Sequence, residues 1–205
     1  MENVFAFGTT RVVELGAGDI DTLQRFFDAN PGYFLAVTGE PARTDEAAQE
    51  YADMPPAGMS YERKWLLGFV DEAGELVAMA HLWSDFLAPR VWLVGLFIVA
   101  TRLHGTGASA EMYRQLEAWM RSRGAAWIRL GAVVGNVPAE RFWLRMGYTE
   151  IRQRAGLVMG QRTNTVRVLW KPLAGGSLDE YLALVPYDRQ ESAVAQATSP
   201  PRPAS

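Results

Sequence analysis

The stretch VATRLHGTGASAEMY, residues 99–113, closes one hydrophobic run and opens a helical one, with two glycines between them. Upstream, RVWLVGLFIVA is apolar on both faces, as a strand in the middle of a sheet must be. Downstream, Met112, Leu116, Trp119 and Met120 recur at helical spacing, and Gly124 stands where a C-cap is wanted. A glycine turn between strand and helix is either a plain turn or an anion cradle. The second reading has a physical basis: amides converge at a helix N-terminus, and the helix dipole favours negative charge there. Gly105 and Gly107 remove β-carbons that would hold an anion off. Thr106 and Ser109 add hydroxyl donors, Ala108 adds only its amide, and Arg102 or His104 adds a cation.

Working outward, RVVEL (residues 11–15) reads as a first strand. GDIDTLQRFFDANPGYF comes next as a helix capped by Asp19 and stopped at Asn30, Pro31 and Gly32. TDEAAQEYADMPP is a second, acidic helix, capped by Thr44 and stopped by Pro55 and Pro56. KWLLGFVD and ELVAMAHLWSDF, separated by the turn signal EAGE, form an antiparallel hairpin. The central strand and the helix from Thr106 to Arg123 come next. AWIRLGAVV is then a strand, PAERFWLRMG a short helix with Pro138 in its first turn, and YTEIRQRAGLVMG and TVRVLWKPL two closing strands. This order predicts an α/β fold (an α+β mixed sheet) of about seven strands with helices on both faces. Residues 1–173 are expected to form the domain. Residues 174–205 are expected to be a C-terminal extension with one short helix near 178–184 and a mobile, proline-rich tail.

Composition narrows the function classes. The chain has 205 residues, a formal charge of −3, no cysteine and two histidines. There is no basic field for nucleic acid, no thiolate and no histidine-rich metal site, so neither a nucleic-acid partner nor a metal is expected. The longest apolar run is too short to span a bilayer, and the N-terminus lacks the pattern of a signal peptide. A cytoplasmic protein with no membrane partner is the expectation.

Two segments carry a family resemblance. LFIVATRLHGTGASAEMYRQLEAW is similar to the strand-loop-helix with Q/R-x-x-G-x-G/A of the GNAT superfamily of N-acetyltransferases. VGNVPAERFWLRMGY resembles that family's N-x-x-A-x-x-[LF]-[YW]-x-x-x-G-[FY], with Asn136, Ala139, Phe142, Trp143, Gly147 and Tyr148 at the family spacing. The resemblance covers roughly residues 11–173. The loop fits in two registers, Arg102-x-x-Gly105-x-Gly107 and His104-x-x-Gly107-x-Ser109; the second keeps the usual distance from Val99 and is preferred.

The resemblance implies a GNAT-like acyl-CoA N-acyltransferase fold with acetyl-CoA (coenzyme A) as donor. Its pantetheine arm would pair with the strand residues Phe97, Ile98 and Val99 and touch Asn136, Phe142 and Trp143, and amides near Phe97 or Val99 would face the thioester oxygen. The reaction implied is direct attack of a primary amine, of a small molecule or a peptide, on the thioester. Where this chain has Trp143, many members carry a tyrosine that protonates the departing thiolate, and an indole supplies no acid; Tyr148 is a nearby phenol and the candidate substitute, or a packed aromatic after Gly147. Others use a strand glutamate as base, absent from RVWLVGLFIVA. His81, Trp83 and Asp85 alternate along AHLWSDF, so His81 is a candidate base and Asp85 a candidate ligand of the acceptor ammonium, with Glu62 a third candidate. Tyr33, Phe34, Trp83 and Trp92 offer an aromatic lining for the acceptor. Asp45, Glu46, Glu50 and Asp53 make an acidic helix face, which either attracts a cationic amine or is simply solvated. Two alternatives stay open: transfer of a longer acyl group or to a protein amine, and a catalytically silent acyl-CoA-binding module of regulatory role. A homodimer is common in the family and is a possible state here.

Overall fold

The computed structural model describes residues 2–190. One sheet of eight strands organises it, in the order β1-β2-β3-β4-β5-β6-β8-β7. The strands are β1 (Glu2–Phe7), β2 (Thr10–Glu14), β3 (Arg63–Val70), β4 (Leu76–Ser84), β5 (Val91–Val99), β6 (Trp127–Val133), β7 (Thr149–Met159) and β8 (Arg162–Pro172). The helices are α1 (Ile20–Ala29), α2 (Gly32–Val37), α3 (Glu46–Ala52), α4 (Ala108–Ser122), α5 (Val137–Arg145) and α6 (Leu178–Leu184). β5 and β6 are parallel, and every other adjacent pair is antiparallel. The mixed sheet with helices on both faces is therefore present.

The two faces arise from strand alternation. On one face, Leu67, Phe69, Val94, Val99 and Leu130 pack with Met112, Leu116 and Met120 of α4 and with Trp143 of α5. On the other, Leu66, Met79, Leu96 and Ile98 pack with Leu23, Phe27, Phe34 and Ala47 of α1, α2 and α3. A central strand serves both layers, which is why β5 reads as an unbroken apolar run.

Several expectations need correction. The sheet gains an eighth strand, β1, an edge strand too short to show a period; it pairs with β2 and packs Val4, Phe5 and Phe7 on the α4-side core, Phe5 stacked on Trp119. Asn30, Pro31 and Gly32 do stop α1, but Pro31 is the N-cap of a further short helix, α2. Its fixed φ suits a helix start as well as a stop. The residue preceding α3 is Asp45 rather than Thr44, and Asp19 makes no side-chain cap on α1; its Oδ2 instead accepts from the Gly16 amide at 3.0 Å.

The expected boundary at residue 173 is not a break in packing. Tyr181 and Val185 are buried against Trp127 and Trp170. Gly176 lies so close to Trp127 that a β-carbon there would fall 2.1 Å from its Cη2 atom. Asp188, fully buried, accepts two hydrogen bonds from Arg129 at 2.7 and 2.9 Å and one from the Tyr181 hydroxyl at 2.7 Å. The proline-rich tail expected to be mobile lies outside the described residues.

Candidate active site

β5 and β6 do not stay paired. Their register runs from Val91↔Trp127 to Val94↔Leu130 and ends there. Each strand nevertheless continues on its other side, β5 with β4 as far as Val99↔Ala78 and β6 with β8 as far as Val133↔Val166. The residues just after the last shared pair are glycines, Gly95 and Gly131, both exposed. Gly95 is also the extra residue of a bulge, since His81 faces Leu96 and Leu82 faces Val94. A bulge bends its strand and re-aims the residues beyond it, so β5 turns away from β6 at this point and opens a wedge in the sheet.

The free edge of that wedge can be read from the ladder. The Ala100 amide donates to the Val77 carbonyl on β4 at 2.8 Å. Backbone groups of an antiparallel strand alternate sides, so the amides and carbonyls of Phe97 and Val99 face the wedge. The Val99 carbonyl confirms the direction by contacting the His104 ring Nε2 at 2.9 Å. Ile98 instead turns its side chain into the α1–α3 layer. Aromatic rings floor the wedge on the α4 and α5 side: Phe97 stacks on Phe142 with centroids 6.0 Å apart, and Trp143 meets Tyr113 edge to face at 4.9 Å.

The glycine loop lies beyond the end of β5. Gly105 and Gly107 adopt φ of 78° and 92°, left-handed values that only glycine reaches without strain, and no atom lies within 4 Å of where a β-carbon would stand. Gly107 is the N-cap of α4. Among the described residues the amides of Gly105, Gly107, Ser109 and Ala110 make no hydrogen bond, whereas those of Thr106 and Ala108 do. An open concavity ringed by unpaired amides fits a pyrophosphate. The loop side chains are occupied differently. Thr106 donates its hydroxyl to the Leu103 carbonyl, Arg102 bonds Asp71 at 3.2 Å, and His104 is tied back to β5. Asn136, at the start of α5, accepts from the Ala139 amide at 3.4 Å and is therefore a helix cap.

On the opposite face of the sheet, a cavity of about 250 Å³ reaches the bulge. Its walls include Tyr33 and Phe34 of α2, Glu46 and Glu50 of α3 with the adjoining Asp53, His81 and Trp83 of β4, and Gly95 and Leu96 of β5. His81, Trp83, Tyr33 and Phe34 are thus brought together around one cavity. The acidic helix contributes three carboxylates to that wall, while Asp45 is turned away and bonds Gln49. Met159, at the tip of the β7–β8 hairpin, completes the cavity. Nothing in its local sequence signals this; the tip is brought over α2 by contacts such as Gln161 to the Thr38 carbonyl.

His81 is almost fully buried, and its Nδ1 pairs with the Glu50 carboxylate. Its Nε2 is buried and has no hydrogen-bond partner among the described residues. Burial, reinforced by Glu50 and Glu46, raises the Tyr33 phenol well above its ordinary value, so it stays neutral.

Four of the candidate residues fall elsewhere. Asp85 lies beyond the end of β4 with φ of 49° and accepts from the Arg90 amide at 2.6 Å, so it closes the β4–β5 turn instead of facing the cavity. Trp92 packs edge-on against Trp119 in the other layer. Tyr148 is buried with its hydroxyl bonded to that of Tyr113, and burial, then the neighbouring Tyr113 and Glu117, raises its ionisation far above the usual phenol. Its hydroxyl serves the core. Glu62 bonds the Ser84 hydroxyl at 3.5 Å, near the turn.

Comparison with known proteins places this geometry. A model described as Acetyltransferase (GNAT) family matches residues 22–148. Among solved structures the chain is similar to a GCN5-related N-acetyltransferase from Kribbella flavida, with 20% identity, TM-score 0.58, and 80% of this chain and 98% of that one covered. It is similar to spermidine N-acetyltransferase from Vibrio cholerae in complex with CoA and spermine, at 15% identity and TM-score 0.62 over 80% and 95% of the two chains. It is also similar to the ribosomal-protein-S18-alanine N-acetyltransferase from Escherichia coli, at 13% identity and TM-score 0.60 over 83% and 97%. At these identities the likeness is one of fold. No curated protein matches. Among the described residues no helix is long and apolar enough to cross a membrane, and no cluster of three or more His, Asp or Glu could hold a metal ion.

Proposed function

The chain belongs to the acetyltransferase (GNAT) family, and on that premise we propose that it is an acetyl-CoA-dependent N-acetyltransferase acting on a primary amine of a small molecule or peptide. One observation carries the reading. The wedge between β5 and β6 opens at Gly95, and the acidic, aromatic cavity on the other face reaches that same residue. Donor and acceptor can therefore approach from opposite faces and meet at one gap in the sheet, held in line as bimolecular transfer requires.

Coenzyme A would supply the acetyl thioester. The unpaired amides of Gly105, Gly107, Ser109 and Ala110 would hold its pyrophosphate, and the free edge of β5 would receive its arm as an added strand does. Rings of Phe97, Phe142 and Trp143 would pack beneath that arm, with Asn136 at the far side. Amides of Phe97 and Val99, fixed in the ladder, would donate to the carbonyl oxygen as charge develops on it. On the acceptor side, the carboxylate of Asp53, with those of Glu46 and Glu50 paired to Arg43 and His81, would favour a cationic amine between Tyr33, Phe34 and Trp83. His81 would accept the proton that the ammonium must lose, through its unpartnered Nε2 and an intervening water. The neutral amine would then bond the acetyl carbon, the carbon–sulfur bond would break with the sulfur keeping the electron pair, and the second nitrogen proton would pass to water or to the released thiolate. A thiol ionises near about 8.5, so the sulfur leaves as its anion without an acid. Neither the core hydroxyl of Tyr148 nor the indole of Trp143 is needed for this.

The test is release of free thiol from acetyl-CoA across a panel of amines, from diamines and amino sugars to amino-acid amides and short peptides. Turnover with a compact cationic amine supports the reading. Binding of acetyl-CoA without turnover across the panel would make the protein a silent acyl-CoA-binding module instead.

A further inference from the structure

We propose that Glu50 is a positioning residue that sets the proton inventory of His81, so that α3 completes the acceptor side of the site. The inference rests on the acetyltransferase reading above. Its observations are the two ends of one imidazole. Nδ1 is paired with the Glu50 carboxylate, and Nε2 is buried without a partner in a side chain that lines the cavity. A carboxylate only accepts, so in neutral histidine the proton sits on Nδ1 and the lone pair on Nε2. Without Glu50 the ring is free to take the other tautomer, in which Nε2 carries a hydrogen and takes no proton from an amine.

Glu50 is not needed to dock its helix. Lys64 donates from Nζ to the carbonyls of Glu50, Tyr51 and Asp53 at 2.7, 2.8 and 2.7 Å, and the Ala47 amide donates to Gln24 at 2.9 Å. These bonds fix both ends of α3 against β3 and α1. The Glu50 side chain is left to meet the ring, only 18% exposed. The other polar groups around His81 do not compete for Nδ1: Glu46 and Asp53 line the cavity, Tyr33 is neutral, and the Lys64 ammonium is spent on carbonyls. Trp83, whose ring centroid is 3.9 Å from that of His81, fixes the plane of the imidazole.

The experiment uses the full chain and its two histidines, His81 and His104, which make the imidazole nitrogen spectrum simple to assign with a His104→Gln control. The wild-type protein is expected to show His81 protonated at Nδ1 and bare at Nε2, and Glu50→Leu to show a mixture or the reverse. With the best amine from the panel, Glu50→Leu should lower kcat about a hundredfold, the lower end of what a positioned general base contributes. Glu50→Gln keeps an acceptor for Nδ1 and should fall between. Glu46→Gln, which removes a wall carboxylate without touching the ring, should raise KM with little change in kcat. Lys64→Met loosens α3 and leaves the imidazole pair alone, so its kcat should exceed that of Glu50→Leu. An unchanged tautomer or unchanged kcat in Glu50→Leu overturns the proposal, as does an equal loss in Lys64→Met. A wild-type protein that acetylates no amine overturns the function itself. That failure is distinguishable, because the nitrogen spectrum reads the hold of Glu50 on His81 without any turnover.

Discussion

Trp83 lies directly over Gly95: a β-carbon on Gly95 would stand 2.5 Å from Cζ3 of Trp83, with two more ring atoms at 3.3 and 3.4 Å. The ring is buried and backed by His81, so moving it presses on the imidazole. The bulge that opens the sheet and the wall of the acceptor cavity are thus one packed unit.

Gly95→Ala should displace Trp83 toward His81. Overpacking of this kind costs about 1–3 kcal/mol. The expected outcome is a lower midpoint in urea and a larger loss of kcat than of coenzyme A affinity, measured by calorimetry. Wild-type kcat in this variant would show that the Trp83–Gly95 contact does not shape the site.

Gly107→Val places a branched side chain at φ of 92°, in space that is otherwise open. Backbone strain of about 1–3 kcal/mol is expected in the free protein. Coenzyme A affinity should fall further, by at least about tenfold, because the side chain fills the cradle. Unchanged affinity would remove the pyrophosphate from this loop.

Tyr113 and Tyr148 share one buried hydrogen bond. Tyr148→Phe leaves a hydroxyl stranded in the core and should cost about 1–3 kcal/mol, whereas Tyr113→Phe with Tyr148→Phe should restore most of that loss. Acetylation by the double variant should remain near wild type. A large loss of kcat in the stable double variant would return Tyr148 to an acid role.

Trp143→Phe should retain most of the rate, since a phenyl ring keeps the contacts with Tyr113 and Tyr148. Initial-rate kinetics decide it. A thousandfold loss, roughly 4 kcal/mol, would mean that the indole takes part in the reaction.

Asp188→Ala leaves Arg129 and Arg152 buried without their shared carboxylate. Breaking a buried ion pair in this way costs about 3–5 kcal/mol. Chemical denaturation should show that loss, and a chain ending at residue 173 should show a larger one. A truncated chain as stable as the full one would make the C-terminal segment dispensable.

The loop and strand proposed for the donor were legible because their signals are local. Gly105 and Gly107 are needed where a loop turns left-handed into α4, and the apolar runs on either side carry the periods of a strand and a helix. Elements long enough to show a period, such as β5 and α4, could be read directly; β1 and α2 could not, because each is short and held by its neighbours rather than by its own pattern. The helix at 178–184 was legible but its docking was not: Asp188 looks like any surface aspartate until Arg129 and Tyr181 are brought to it.

The sequence alone determined the family fold, the loop that fits a pyrophosphate, and the absence of cysteine chemistry. Only the tertiary structure assembled the cavity proposed for the acceptor. His81 and Glu50 are thirty-one positions apart and become partners only when α3 is laid on the sheet. Asp85, four residues beyond His81, is lost to a turn because its backbone leaves the strand. Periodicity can say which face of a strand a residue occupies. It cannot say which helix will cover that face, and that contact decides whether a histidine is filler or the start of a proton path.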